Sequence, residues 1–248
     1  MLDQDPGITE AKQRIVNDLL IDLPPEVDVE VDLPSECRVY KLEDPAKPIT
    51  LRPMTFEDEK NMLNSKKGND PINIILQKCT TNLNVADLLS IDKLYLIMKL
   101  REISYGDDYN TLLICRDCGA ENPTVVKLSE LNINPVPDDF TDPVEIELPS
   151  IQKNAKVLLP RVRAENLFAN DNKAFSQLWR FIAEIDGHSD KTIISGVLEK
   201  LPIKDMRLIL NAMKTDFGVE TKVKFECTSC KEVSIVDLPI DANFFDAS

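Results

Sequence analysis

Histidine is almost missing from this sequence. His188 is the only one, and it follows Gly187 in "EIDGHSD", a polar stretch that reads as a turn. The commonest general base and imidazole ligand is thus reduced to one residue expected on a surface loop. No apolar run approaches the roughly 20 residues that span a bilayer. The start, "MLDQDPGITEAK", lacks the basic-then-apolar order of a signal peptide. Synthesis in the cytosol, with thiols kept reduced, is therefore expected. There is no excess of base either: 29 Lys and Arg stand against 43 Asp and Glu, a net charge of −14. That balance argues against direct nucleic-acid binding, which needs clustered cations to neutralise phosphates. No G-x-S-x-G, Walker loop or G-x-G-x-x-G is present, and no carboxylate pair stands out as an acid and base. The sequence reads as that of a non-enzyme.

What is present describes a globular chain. Its 248 residues are 43% hydrophobic and 29% charged, enough for one large domain or two ordinary ones. The acid is uneven. Residues 1–36 carry ten Asp or Glu against Lys12 and Arg14, more than half of the net charge. Such a segment is either a solvated arm or one that orders against a basic partner surface.

Internal repetition organises the rest. "VEVDLPS" at 29–35 matches "VEIELPS" at 144–150 in type at each position, a strand with one wet face closed by Pro and Ser. "ITLRP" (49–53) parallels "KVLLP" (156–160), and acidic helix-forming sequence follows both. At an offset of 112, "EISYGDDYNTLLICRDC" ending on Cys118 aligns with "KTDFGVETKVKFECTSC" ending on Cys230. Gly106 and Gly218 each follow an amphipathic pattern and are expected to close its helix with positive φ. Leu94, Ile97, Met98 and Arg101 mark one stripe, with Asp92 as the expected N-cap; Met206, Ile209, Leu210 and Met213 mark the other. Beyond the cysteines, "VVKLSEL" (125–131) faces "IVDLPID" (235–241). The expected fold is α+β, in two similar halves, each with short strands, a helical layer and a Cys-x-x-Cys β-hairpin knuckle. The expected divisions are an acidic arm at 1–28, unit one at 29–135, a linker at 136–143 and unit two at 144–248.

Cys37 and Cys79 stand alone and read as buried or half-buried thiols. Cys115 with Cys118, and Cys227 with Cys230, stand on strand–turn–strand sequence, the form of a zinc knuckle. Gly119 follows the first pair where such turns need positive φ; Lys231 replaces it in the second. A redox pair would open a helix, and strands flank both pairs here. Unligated buried thiols are the remaining reading. Four thiolates complete a tetrahedral zinc shell with no open position, so the expected metal is a structural Zn2+ shared between the halves. One shared site requires the two knuckles to meet in space.

"ITLRPMTFEDEKNMLNSKKGNDPINIILQKCT", the helix ending "LREISYG", the "CRDCG" knuckle and the ending "ECTSCKEVSIVDLPIDANFF" together resemble the baseplate hub and hub-assembly proteins of T-even-like contractile-tailed phages. The ending carries most of the likeness: a Cys-x-x-Cys, a short β stretch, then Leu238, Pro239, Asp241, Phe244 and Phe245. The resemblance covers about residues 29–245 and leaves the acidic arm unmatched. It implies a non-catalytic virion or assembly protein whose partners are other baseplate and hub proteins. It places the protein in the tail baseplate, or in the host cytoplasm during assembly. A zinc-stabilised adaptor or chaperone of another complex is the alternative, and a thiol-disulfide oxidoreductase a remote one. Phe244 and Phe245 suit either the chain's own core or a docking contact with a neighbour.

Overall fold

Sixteen prolines and the acid-studded strand segments keep the ladders short, and the sheets are correspondingly small. A computed structural model describes residues 10–21, 27–63, 70–165, 176–240 and 242–245. Among these are six α-helices, four two-stranded sheets and one three-stranded sheet, every pairing antiparallel. The fold is mixed α/β. Residues 1–9 and 22–26 of the acidic arm, most of the helix-forming stretch expected at 161–175, and Asp241 lie outside the described residues. Within the arm, α1 (Glu10–Leu19) is described.

In the first half, β1 (Val29–Glu30) pairs with β2 (Thr50–Leu51), two residues on each side. The strand expected over 29–35 stops early because Leu33 begins a turn, its carbonyl accepting from the N–H of Glu36. Three helices follow: α2 (Phe56–Leu63), α3 (Pro71–Cys79) and α4 (Ser90–Tyr105). Asp70 caps α3 by accepting from the Ile72 N–H, and Pro71 at the first helical position needs no donor. On α4, Asp92, Lys93, Tyr95, Leu96, Ile97, Met98, Leu100 and Arg101 are all buried. These residues span most of the circumference, so α4 is a central helix and not the one-sided element its stripe suggests. Gly106 ends it as expected, at φ 96° with its N–H on the Glu102 carbonyl.

Asp92 is not the N-cap. It is the third residue of α4, fully buried, and its carboxylate accepts from the Ser35 N–H at 3.1 Å and from the Tyr40 hydroxyl. Burial pushes this carboxyl above the usual range, although Tyr40 and Ser35 donate to it. The helix then leads into β3 (Asp108–Ile114) and β4 (Glu121–Lys127), a hairpin paired over seven residues on each side. After it, β5 (Ile133–Asn134) begins the joining segment.

The second half has longer first strands. β6 (Val144–Leu148) pairs with β7 (Lys153–Val157), which pairs with β8 (Ile182–Ile185). His188 is exposed at the turn after β8, as its sequence suggested, with Asp186 and Gly187 both at positive φ. Helices α5 (Lys191–Leu198) and α6 (Ile203–Ala212) follow. Met206, Ile209, Leu210 and Met213 all pack into the second core, as the stripe predicts. Gly218 does not close α6, which ends at Ala212. It lies in β9 (Gly218–Val219), paired with β5, at φ 100°. That φ favours glycine, and a Cβ there would stand 3.3 Å from Cβ of Ile91, a tight contact. The second hairpin, β10 (Lys222–Glu226) and β11 (Val233–Asp237), completes the strands.

Two main cores result, one built chiefly from residues 31–128 and one from 148–213, with a small cluster of Leu89, Val136, Leu159 and Phe217 beside them. Leu238, Phe244 and Phe245 cross into the first core, where both rings are buried. Of the two readings of the phenylalanine pair, the structure takes the internal one. The Phe244 ring meets Tyr109 edge-on at 4.8 Å, and its carbonyl accepts from Arg101 Nε at 2.8 Å. Tyr109 also donates to the Pro239 carbonyl at 2.9 Å. Pro239 and Phe244 are therefore tied to α4 and the first hairpin.

Candidate metal centre

Alternation along β3 and β4 turns Tyr109, Leu113, Asn122 and Val126 inward and leaves Leu112, Ile114 and Val125 exposed. Each hairpin ends in a turn whose geometry follows from two backbone bonds. Cys115 N–H donates to the Ala120 carbonyl at 3.0 Å, and Gly119 N–H donates to the Cys115 carbonyl at 3.0 Å. In the second hairpin Cys227 N–H donates to Glu232 at 2.9 Å and Lys231 N–H to Cys227 at 3.0 Å. The loop reverses through one left-handed residue, Gly119 at φ 72° and Lys231 at φ 65°. Lys231 thus adopts the conformation that glycine takes in its counterpart. The missing glycine does not change the turn; it adds strain to it.

The two turns meet. Sγ of Cys115 lies 3.7 Å from that of Cys230, and Sγ of Cys118 lies 3.6 Å from that of Cys227. All four sulfurs fall within 4.8 Å of one another. Zinc–thiolate bonds of about 2.3 Å at tetrahedral angles place sulfurs about 3.8 Å apart. The donor set fits one divalent, thiophilic ion held by both hairpins. These four are the sequence-expected ligands, brought together across a separation of 109 positions between Cys118 and Cys227. The first cysteine of each pair is buried, Cys230 is half-buried and Cys118 is exposed. Cys37 and Cys79 lie outside this cluster, half-buried and buried against the first core.

The electrostatics show why such a cluster calls for a cation. The Cys227 thiol is pulled down to about 6, chiefly by the Cys230 N–H and then by the Ser229 N–H, Cys118 and Asn122. Cys115 is lowered first by the Ser234 hydroxyl and then by the N–H groups of Cys118 and Asp117. At Cys230 the Glu232 N–H opposes the trend, yet burial and the three neighbouring thiols push it up to about 12. The turns thus ease the first ionisations, and like charge blocks the last. A divalent ion removes that block.

Two supporting residues escaped the sequence reading. Asn122 Nδ2 points at Cys227 Sγ at 3.7 Å, while its Oδ1 accepts from the N–H and hydroxyl of Thr228 at 2.8 and 2.9 Å. Ser234 Oγ lies 3.4 Å from Cys115 Sγ. Both side chains are buried. Each reaches from one hairpin to the buried sulfur of the other, as residues around a metal shell do when they orient its ligands. They are 112 positions apart, the same offset as the cysteines, and that spacing was the available signal.

Fold and site together define a small-sheet α/β protein whose two hairpins converge on a four-cysteine cluster. Comparison with protein families matches residues 34–246 to T4 bacteriophage base plate protein, and the chain belongs to that family. No curated protein and no solved structure shows comparable similarity. Membership places the protein in the baseplate of the virion tail, with other phage tail proteins as its partners. No helix among the described residues is long and apolar enough to cross a membrane.

Proposed function

We propose that this chain is a non-catalytic structural or assembly component of the hub region of the tail baseplate, and that a structural zinc on Cys115, Cys118, Cys227 and Cys230 clamps its two halves. The convergence of four thiols from two hairpins carries this reading. Four protein ligands leave no position for a substrate or an activated water, so the ion would act as a cross-link and supply no reaction chemistry. Neither cysteine pair opens a helix, which removes the usual device for activating a redox thiol. The hub assignment rests on the C-terminal likeness, "ECTSCKEVSIVDLPIDANFF".

The halves, at 29–135 and 144–248 about a linker at 136–143, are read as copies of one unit. Several local details support this. Ser35 N–H donates to buried Asp92, and Ser150 N–H donates to buried Asp205, each acid being the third residue of its helix. Cys37 and Gln152, which follow the matching "LPS" segments, share left-handed backbone at φ 57° and 53°. Asn122 and Ser234 make reciprocal contacts to the opposite cysteine.

Elemental analysis of the purified chain tests the clamp: one zinc per chain is expected, and none would remove it. For the hub assignment, cross-linking and mass spectrometry of purified tails should recover the chain joined to central baseplate proteins. Links confined to the periphery would refute it.

A further inference from the structure

A cavity of about 730 Å³ lies between residues of the two halves, lined by Val39–Lys41 and Asp87 on one side and by residues 158, 159, 161, 163, 164, 179–181 and 191 on the other. Its charge contradicts that of the chain. Among its lining residues Lys41, Arg161, Arg163, Arg180 and Lys191 are cationic, and Asp87 is the one acid. Over the whole sequence acids outnumber bases 43 to 29. Not all of this charge is free. Arg161 pairs with Asp142 and donates to the Asp87 carbonyl, and Arg163 pairs with Asp87. Arg180 donates to the neutral Gln177 at 2.7 Å, and Lys191 donates to the Ile182 carbonyl at 2.5 Å. Lys41 has no ion pair among the described residues. Three exposed cations from three segments thus surround the cavity without a carboxylate partner among the described residues.

The aromatic content points the same way. Trp179, the one tryptophan of the sequence, is half-buried in the wall, with the Arg180 guanidinium 5.0 Å from its ring centre. Arg161 lies 5.4 Å from the ring of Tyr40. A guanidinium stacked on a ring is held in place with its N–H edge available, and Trp, Tyr and Arg are the residues that dominate interface hot spots. The size matches sites that take a few side chains, not a broad flat face.

We infer that this cavity is a docking site for an acidic peptide segment of a partner protein, carboxylates meeting Lys41, Arg180 and Lys191 and an apolar side chain meeting Trp179. The inference rests on reading the chain as a component that binds other tail proteins. A duplex or single-stranded nucleic acid is disfavoured as occupant, because the charge outside the cavity would repel its backbone.

Trp179 is the only indole, so its own emission reports occupancy. A short peptide of alternating Glu and Leu, titrated into the full-length protein, should change that emission saturably, and the effect should weaken as salt is raised. Arg180→Glu combined with Lys191→Glu should weaken binding about tenfold, since reversal turns weak surface attraction into repulsion. Lys222→Glu with Lys224→Glu, exposed on β10, should leave it unchanged. Unchanged melting of each variant verifies folding. A flat titration overturns the inference, as does equal weakening by the β10 pair. Tighter binding of an oligonucleotide than of the peptide overturns it in favour of nucleic acid. If the chain proves absent from purified baseplates while the peptide still binds at Trp179, the hub reading falls and this surface stands.

Discussion

Under the proposed zinc clamp, removal of the ion from the four-cysteine centre should loosen the whole molecule, and the structure sets the scale. One ion on Cys115, Cys118, Cys227 and Cys230 would close a loop 109 positions long between the nearest cysteines of the two pairs. In the chain-entropy treatment, closing a loop of about 100 residues is worth about 4.7 kcal/mol, and a metal clip acts on the unfolded chain in the same way. For a chain of this size, each kcal/mol moves the melting midpoint by about 2–4 °C, so stripping the ion should lower it by about 10–20 °C. Circular dichroism melts in excess zinc and in excess chelator read this directly, once elemental analysis has verified the stripped state. Cys115→Ser and Cys227→Ser should each produce much of the same loss. The double variant should lose little more, because either substitution already opens the shared loop. Stripped and loaded protein melting together would refute the cross-link. So would two separate transitions of which only one responds, since that would mean each hairpin stabilises its own half.

Other parts of the fold carry their own tests. Lys231→Gly should stabilise the protein by about 1 kcal/mol in denaturant unfolding, because Lys231 holds a left-handed backbone; a loss of stability would mean that its side chain contributes more than the turn costs. Phe244→Ala should cost about 3–5 kcal/mol, since its ring is fully buried against Tyr109 and the first core; a near-neutral result would refute the internal placement of the chain end. At Asp58, burial acts upward but is outweighed by Arg52 at 2.7 Å and by the N–H and hydroxyl of Thr55, so its carboxyl lies below the usual carboxylate range. The folded pKa is depressed, so the stability it adds is present above the unfolded value near about 3.9 and lost as pH falls through the folded one. Asp58→Asn should flatten that acid limb in pH-dependent unfolding, and an unchanged limb would refute the pairing.

The likeness to the baseplate proteins and the cysteine hairpins were both legible in the sequence, because each depends on local pattern. Alternation specifies β3, β4, β10 and β11, and the Cys-x-x-Cys spacing specifies the turn between them. Gly106 is read correctly because a helix end depends on a few neighbouring backbone groups. Asp92 and Gly218 were misread for the opposite reason. A buried Ser35 N–H 57 positions away takes the carboxylate that would have capped α4, and the ladder with β5, packed against Ile91, takes the glycine expected to end α6. In both cases a distant partner overrode a local preference.

By itself the sequence determined the chemistry available: four paired thiols, an excess of acid over base and short strands. Tertiary structure alone decided what those groups meet. It placed Cys118 beside Cys227, aimed Asn122 and Ser234 at sulfurs of the opposite hairpin, buried Phe244 in the core of the other half, and set Lys41, Arg180 and Lys191 around the cavity that Trp179 also lines. The physical reason is distance along the chain. Spacing constrains groups a few residues apart, but groups a hundred residues apart are brought together only when the packing of whole elements makes their approach favourable.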